Sequence, residues 1–178
     1  MKDDGTMARR DDLDIFAKKH NMTQVYISDL VEYRLAYESL VKEISSTSYN
    51  FFGTITTKKI FEDHLLNQHT VIQFGHIKTT TSVKFHTVNL DIELFLNNHR
   101  LQSMLKSIEY LQQQGGVLVF LNNKNQQQEK MKNFGIGAQI LNKLGIKKID
   151  LLASGGKHSF IGINGFGLEV DKEINIEG

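Results

Sequence analysis

The 178-residue chain contains no cysteine and no proline. Without thiols there is no disulfide, no thiolate nucleophile and no sulfur-ligated zinc or iron–sulfur centre. Without proline, joints between domains carry no Pro-rich mark and must be read from changes in periodicity. Charge of one sign is lacking too: 21 Lys+Arg against 20 Asp+Glu leave a formal +1. That is too little for a uniform field that draws a protein to nucleic acid or an acidic membrane surface. No apolar run approaches the ~20 residues that span a bilayer. The start, Met1-Lys2-Asp3-Asp4-Gly5, has no apolar segment of the signal-peptide kind, so a cytoplasmic location is expected. What is present, 40% hydrophobic and 23% charged residues, is globular in proportion, and the length suits one main core with a short appendage.

Asp11 to His20 sets Leu13, Phe16 and Ala17 at helical spacing, with Asp11 or Asp12 as cap and Lys18, Lys19 and His20 at the far end. Gln24-Val25-Tyr26-Ile27 reads as a brief strand, and Ser28 as the cap of a second helix carrying Leu30, Val31, Leu35 and Val41. From Ile44 the texture turns Ser/Thr-rich, aromatic and β-branched, which predicts a strand meander through Tyr49, Phe51, Ile55, Val71 to Phe74 and Val83 to Phe85. Arg100 to Gln112 places Leu101, Leu105, Ile108 and Leu111 on one helical stripe, stopped by Gly115-Gly116 and followed by the apolar strand Val117 to Leu121. A second helix, Gly137 to Leu144, passes the breaker Gly145 into a strand at Lys148 to Ala153. Two such units predict neighbouring parallel strands in an α/β layer beside the meander. The polar stretch Asn122 to Lys132 reads as a surface loop.

Candidate chemistry is sparse. His64 and His69 are five apart, which no helical face brings together, and they read as surface histidines rather than metal ligands. His86, Asn89, Asp91, Glu93 and His99 form a denser polar group that suits a nitrogen/oxygen metal site, although soluble surfaces scatter such residues freely. Gly135-Ile136-Gly137 reads as a tight helix entry, with a phosphate-cradling turn as its rival. Ser154-Gly155-Gly156-Lys157-His158 follows a strand, where α/β sheets collect ligands, or is a plain turn. Leu101, Leu105, Ile108 and Leu111 read as core, and Lys147-Lys148 as a solvated face. No catalytic residue, metal or cofactor is assigned.

The stretch Asn133-Phe134-Gly135-Ile136-Gly137-Ala138-Gln139-Ile140-Leu141, continued by Leu144 to Ile149 and Leu151-Leu152, resembles the late signature of GTP cyclohydrolase II of riboflavin biosynthesis. Gly167-Leu168-Glu169-Val170 is similar to its closing segment, and Val83-Lys84-Phe85-His86 to the strand that leads into its zinc site. Asp4-Gly5-Thr6-Met7-Ala8-Arg9, with Leu13, Phe16-Ala17, His20, Ile27, Asp29-Leu30-Val31 and Tyr33-Arg34, resembles the tail of 3,4-dihydroxy-2-butanone 4-phosphate synthase. Together these resemblances imply the C-terminal part of a bifunctional polypeptide, with the synthase tail over 1–43 and a cyclohydrolase II-like domain over 44–178. They imply an α/β (α+β) fold with a mixed sheet and flanking helices.

The cyclohydrolase family holds zinc with three cysteines, and here Thr87-Val88-Asn89 and Leu96-Asn97-Asn98-His99 stand in their place. Its base and phosphate loop is matched only by Asn122-Asn123-Lys124-Asn125-Gln126. The resemblance therefore implies a non-catalytic, dimer-forming partner of the synthase domain. An active cyclohydrolase with an unusual metal site and a sensor of GTP or a pathway product are the alternatives. Lys132 and Lys157 are the nucleotide-binding candidates.

Overall fold

A computed structural model describes residues 6–26, 30, 33, 38, 40–88, 91–122, 130–154 and 167–176, without side-chain detail at 10, 91, 93 and 130–134. Helix α1 spans Arg10–Lys19, with Asp11 and Asp12 in its first turn and Lys18 and Lys19 in its last, each sign complementing the helix dipole. Asp12 does not cap from outside: it sits inside the helix and accepts the Arg9 N–H at 2.9 Å. Gln24, Val25 and Tyr26 form no strand. So short a run has no sheet to join, and the Tyr26 hydroxyl instead donates to Asp14 on α1 at 2.8 Å and accepts from Gln24. Ser28, Val31 and Leu35 lie outside the described residues, and Val41 opens a strand rather than continuing a helix.

Among the described residues seven strands form one mixed sheet, consecutive along the chain as β1 (Val41–Phe51), β2 (Thr54–Asp63), β3 (Gln68–Phe74), β4 (Thr80–Val88), β5 (Gly116–Asn122), β6 (Lys148–Ala153) and β7 (Glu169–Asn175). Helices α2 (Asp91–Leu96) and α3 (Asn98–Gln114) lie between β4 and β5, and α4 (Lys130–Lys143) between β5 and β6. The order across the sheet is β1-β2-β3-β5-β4-β6-β7. The meander β1, β2, β3 and its junction to β5 are antiparallel; β5, β4, β6 and β7 are mutually parallel. The textural change at Ile44 thus falls inside β1. Phe51 pairs with Thr54 across a two-residue turn in which Phe52 and Gly53 both take positive φ, 49° and 79°. That is the twist a tight hairpin requires.

The two helical crossovers step in opposite directions: β4 to β5 one way, then β5 back past β4 to β6. Right-handed crossovers that reverse direction place their helices on opposite faces. Two buried clusters follow. On one face Met104, Ile108 and Leu111 of α3 meet Ile72, Phe74, Leu118 and Leu152; on the other Ile136, Ala138, Ile140 and Leu141 of α4 meet Val71, Val83, Val119 and Leu151. Each fully buried aliphatic chain contributes about 1.5–3 kcal/mol.

The buried stripe of α3 is rotated from the expected one: Ser103 and Ser107 are buried, while Leu101 and Leu105 are half-buried at its margin. The serines pass under the sheet because their hydroxyls have acceptors, the Ile176 carbonyl at 2.9 Å and the Ser103 carbonyl at 2.7 Å. Gln139 on α4 clamps the chain ahead of β1, accepting the Leu40 N–H and donating to the Glu38 carbonyl, both at 2.8 Å.

Gly135-Ile136-Gly137 is neither a helix entry nor a phosphate turn, because α4 begins at Lys130 and encloses it. Residues 130–132, expected as loop, are helical; 123–129 lie outside the described residues. The glycine at 137 has a packing reason: a Cβ there would stand 2.7 Å from Cε1 of Phe85. Gly137→Ala should therefore cost about 1–3 kcal/mol by overpacking. A fall in urea midpoint at unchanged slope checks this, and an unchanged midpoint would show the ring free to tilt away.

Candidate functional site

The reversal of crossover direction creates a switch point at the carboxyl ends of β4 and β5, where connections leave toward opposite faces and α/β sheets hold ligands. Two polar side chains of β4 lie there, Lys84 and His86, in register with Leu118 and Phe120 of β5. Alternation along the strand sends Val83 and Phe85 into the cluster under α4 and leaves 84 and 86 on the α3 face. Lys84 is 5% exposed, and its Nζ donates to Oγ of Ser154, the residue after β6. Among the described residues no carboxylate lies within ion-pair distance of it. Burial alone pushes its ammonium down from 10.5 to about 8.

His86 packs edge-on against Phe120, with ring centres 5.6 Å apart. Burial, then the charges of Arg100 and Lys84, depress its pKa. Arg100 lies in the first turn of α3, which Asn97 caps by accepting the Arg100 N–H at 3.0 Å. The result is a half-closed group of one buried ammonium, one neutral imidazole, one hydroxyl and one guanidinium nearby. Such a set accepts an anion and donates hydrogen bonds to it. Among the described residues it contains no carboxylate pair for general acid–base work.

The other face holds a second polar group. His69, 1% exposed, accepts the Asn122 N–H on Nδ1 at 3.2 Å and turns Nε2 to Asp63 at 3.3 Å. The first bond assigns the proton to Nε2, so the ring is neutral and donates to the carboxylate. Burial depresses the His69 pKa, with the Asp63 charge and hydrogen bond opposing it. Burial would raise Asp63, but hydrogen bonds from Asn67, Leu65 and His69 bring it below the ordinary carboxylate value.

His69 is therefore a buried structural residue, not the surface histidine its spacing from His64 implied. Both its nitrogens are occupied, and His64 is exposed. Among the described residues no three His, Asp or Glu groups are placed to hold a metal. Of the polar set around His86, Asn89 and the side chains of Asp91 and Glu93 lie outside the described residues. Lys148 is not simply solvated: it bridges Glu169 at 3.2 Å and Asp171 at 2.7 Å on the neighbouring strand. Lys132 lies in α4 with its side chain not described, and Gly155, Gly156, Lys157 and His158 lie outside the described residues. Sequence reasoning missed Lys84 as a site residue. Its signal was a polar position between Val83 and Phe85 on a strand leading into the layer of parallel strands.

Comparison with known proteins covers nearly all of the chain. It is 47% identical over 176 residues to a 3,4-dihydroxy-2-butanone 4-phosphate synthase of Sulfurospirillum multivorans, covering 99% of this chain and 49% of that one. It is 39% identical over 178 residues to the synthase of Wolinella succinogenes, covering 100% of this chain and 51% of that one. A crystal structure of RibBX from A. baumannii, described as a two domain 3,4-dihydroxy-2-butanone 4-phosphate synthase, superposes with a TM-score of 0.72 at 28% identity. That match covers 98% of this chain and 52% of that one. The GTP cyclohydrolase II family model matches residues 122–175 only. The chain spans about half the length of the curated relatives it matches.

These matches overturn the expectation of a bifunctional fusion with a non-catalytic cyclohydrolase half. The Sulfurospirillum and Wolinella relatives, which align with nearly all of this chain, are named as the synthase alone, and the cyclohydrolase pattern reaches only its last third. Zinc cysteines and a guanine loop serve a reaction for which those relatives are not named, so their absence marks no lost activity here. The unusual-metal cyclohydrolase and the guanine-nucleotide sensor rested on the same assignment and go with it. The mixed α/β architecture with flanking helices stands. No helix among the described residues is long and apolar enough to cross a membrane.

Proposed function

We propose that this chain acts as a 3,4-dihydroxy-2-butanone 4-phosphate synthase of riboflavin biosynthesis. The observation that carries the reading is 47% identity to a curated synthase across 99% of the chain. The site geometry supports it. A four-carbon keto-diol phosphate is a small dianion with carbonyl and hydroxyl oxygens. The group at the ends of β4 and β6 offers a buried ammonium at Lys84, a neutral His86 and a guanidinium at Arg100 for those oxygens. The match over 122–175 supports a cyclohydrolase II-like layout for α4, β6 and β7, a matter of framework that assigns no cyclohydrolase reaction.

The test is genetic and then chemical. A polypeptide carrying this chain in full is expressed in a bacterium that requires riboflavin because its synthase gene is deleted. Growth without riboflavin is expected, with the keto-diol phosphate detected in extracts by mass spectrometry. No growth and no product from well-folded protein would overturn the assignment.

A further inference from the structure

The sheet ends in two unlike edges. At one end β7 carries Glu169, Asp171, Lys172 and Glu173 within seven residues. Pairing of this strand with its own copy about Asp171 would set Asp171 against Asp171 and Glu169 against Glu173. Like charges directly opposite repel, and such an edge resists a further strand. At the other end β1 is eleven residues long, and Ile44 to Phe51 hold no charge. The other devices that blunt an edge are missing there too. The chain has no proline, the irregularity in the β1–β2 register falls between Glu43 and Ser45 at the start of the strand, and among the described residues no element pairs with the outer side of β1.

The hairpin fixes which groups face outward. Phe51 and Thr54 close a two-residue turn, and the residues that close such a turn exchange both backbone bonds. Alternation then directs Tyr49 and Thr47 to β2, and the Tyr49 carbonyl does accept the Thr56 hydroxyl at 2.8 Å. Asn50, Ser48 and Ser46 turn their N–H and C=O away from β2. All three are exposed, as are Thr47 and Tyr49 between them. Gln112 ties the turn to α3, donating to the Phe52 carbonyl and the Thr54 hydroxyl, both at 3.0 Å.

We propose that β1 is an interface with a second copy of this chain, the two strands pairing antiparallel about a two-fold axis at Ser48. The strand is most fully self-complementary in that register. Ser48 opposes Ser48 and Ser46 opposes Asn50 twice, so every outward N–H and C=O of the regular stretch meets a partner. At the intervening positions Thr47 opposes Tyr49, a β-branched and aromatic pair of the kind that stabilises sheets, and Phe51 opposes Ser45. Lys42 and Glu43 fall opposite the uncharged Thr54 and Gly53. An axis at Thr47 or Ser46 would draw the irregularity at Ile44 into the ladder and lose bonds.

The intact chain is sedimented at tens of micromolar, where twice the chain mass is expected. Ser48→Lys sets two ammonium groups against each other on the axis and should weaken the dimer at least tenfold. Part of that loss should return in about 1 M salt, where screening acts within about 3 Å, a response that damage to the fold does not show. Ser48→Pro removes an N–H that β2 does not use and should leave a folded monomer; if it unfolds, Ser48→Lys keeps the test decisive. Because the chain has no cysteine, Ser48→Cys carries a single thiol. A hydrogen-bonded antiparallel pair holds its Cα atoms about 5.5 Å apart, within disulfide reach, so mild oxidation should link the copies, whereas Glu173→Cys on β7 should stay unlinked. A monomeric parent chain, a dimer that tolerates both Ser48→Lys and Ser48→Pro, or equal linkage at residue 173 would overturn the proposal. Each readout is mass or linkage rather than synthesis, so it stands apart from the test of the synthase assignment.

Discussion

Asp63→Ala should destabilise the chain by about 3–5 kcal/mol, more than any exposed substitution. The carboxylate closes the β2–β3 turn. Its Oδ1 accepts the Leu65 and Asn67 N–H groups, both at 2.8 Å, while Oδ2 accepts Asn67 Nδ2 at 2.9 Å and faces His69 Nε2 at 3.3 Å. Alanine leaves all these donors behind in a site where Asn67 and His69 are buried, at roughly 1–3 kcal/mol for each buried group that finds no water. The turn also carries Leu66 at φ 62°, a left-handed conformation that costs about 1–2 kcal/mol and needs the surrounding bonds to hold it. Asp63→Asn is the sharper experiment. It keeps the shape but sets an NH2 against Asn67 Nδ2 or His69 Nε2–H, and His69 cannot change tautomer without losing the Asn122 N–H. About 1–3 kcal/mol is expected from that conflict. A urea midpoint within error of the parent chain for both variants would show the network to be dispensable.

The same pair sets a direction for pH. Folding holds the His69 pKa below its free value of 6.5, so its neutral form contributes stability that is present above 6.5 and lost as pH falls through the lower folded value. Asp63, also depressed, contributes stability present above 3.8 and lost on further acidification. Both terms run the same way, and the depressed His86 adds to the first, so acid should unfold the chain in two overlapping steps, the first of which is reduced, with the His86 contribution remaining, when His69 is replaced by Gln.

Local pattern revealed much of this architecture. Val117 to Leu121 is a continuous apolar run because β5 lies in the middle of the sheet and is covered on both faces, and Gly145 ends α4 at φ 77°. Where meaning depended on a distant neighbour, the pattern misled. Gly137 looked like part of a tight helix entry, with a phosphate turn as its rival, because nothing local shows the Phe85 ring pressed against it. The stripe through Leu101 and Leu105 was read without Ser103 and Ser107, which are buried because their hydroxyls find carbonyl acceptors, one of them on the chain just past β7. Asp63, Asn67 and His69 are spaced four and six along the chain and meet only through a hairpin. Lys84 alternates with apolar neighbours just as a solvent-facing residue would, and only the arrival of α3 over that face buries it.

Replacing Lys84 by Met should raise stability and lower synthesis together. An ammonium depressed from 10.5 to about 8 by burial carries a penalty of roughly 3 kcal/mol below the folded value. Methionine of similar length removes that penalty and forgoes the bond to Ser154, itself about 1 kcal/mol, for a net gain of about 2 kcal/mol at pH 7. The sign with pH follows. Because the folded pKa is the lower one, the parent chain gains stability as pH rises from about 8 toward 10.5 and the group becomes neutral in both states. The advantage of the Met variant should therefore shrink and vanish across that interval. Measuring the difference in urea midpoint between the two proteins at pH 7 and pH 10 cancels the titration of every other lysine and tyrosine. A Met variant less stable at pH 7 would mean that Lys84 is balanced by a charge. In the complementing strain the same variant, though more stable, should yield at least tenfold less keto-diol phosphate, since a charge-assisted bond to phosphate is worth about 1.5–3 kcal/mol. Full yield from the stabilised variant would show that this buried cation serves folding geometry alone, and the phosphate would have to be sought elsewhere.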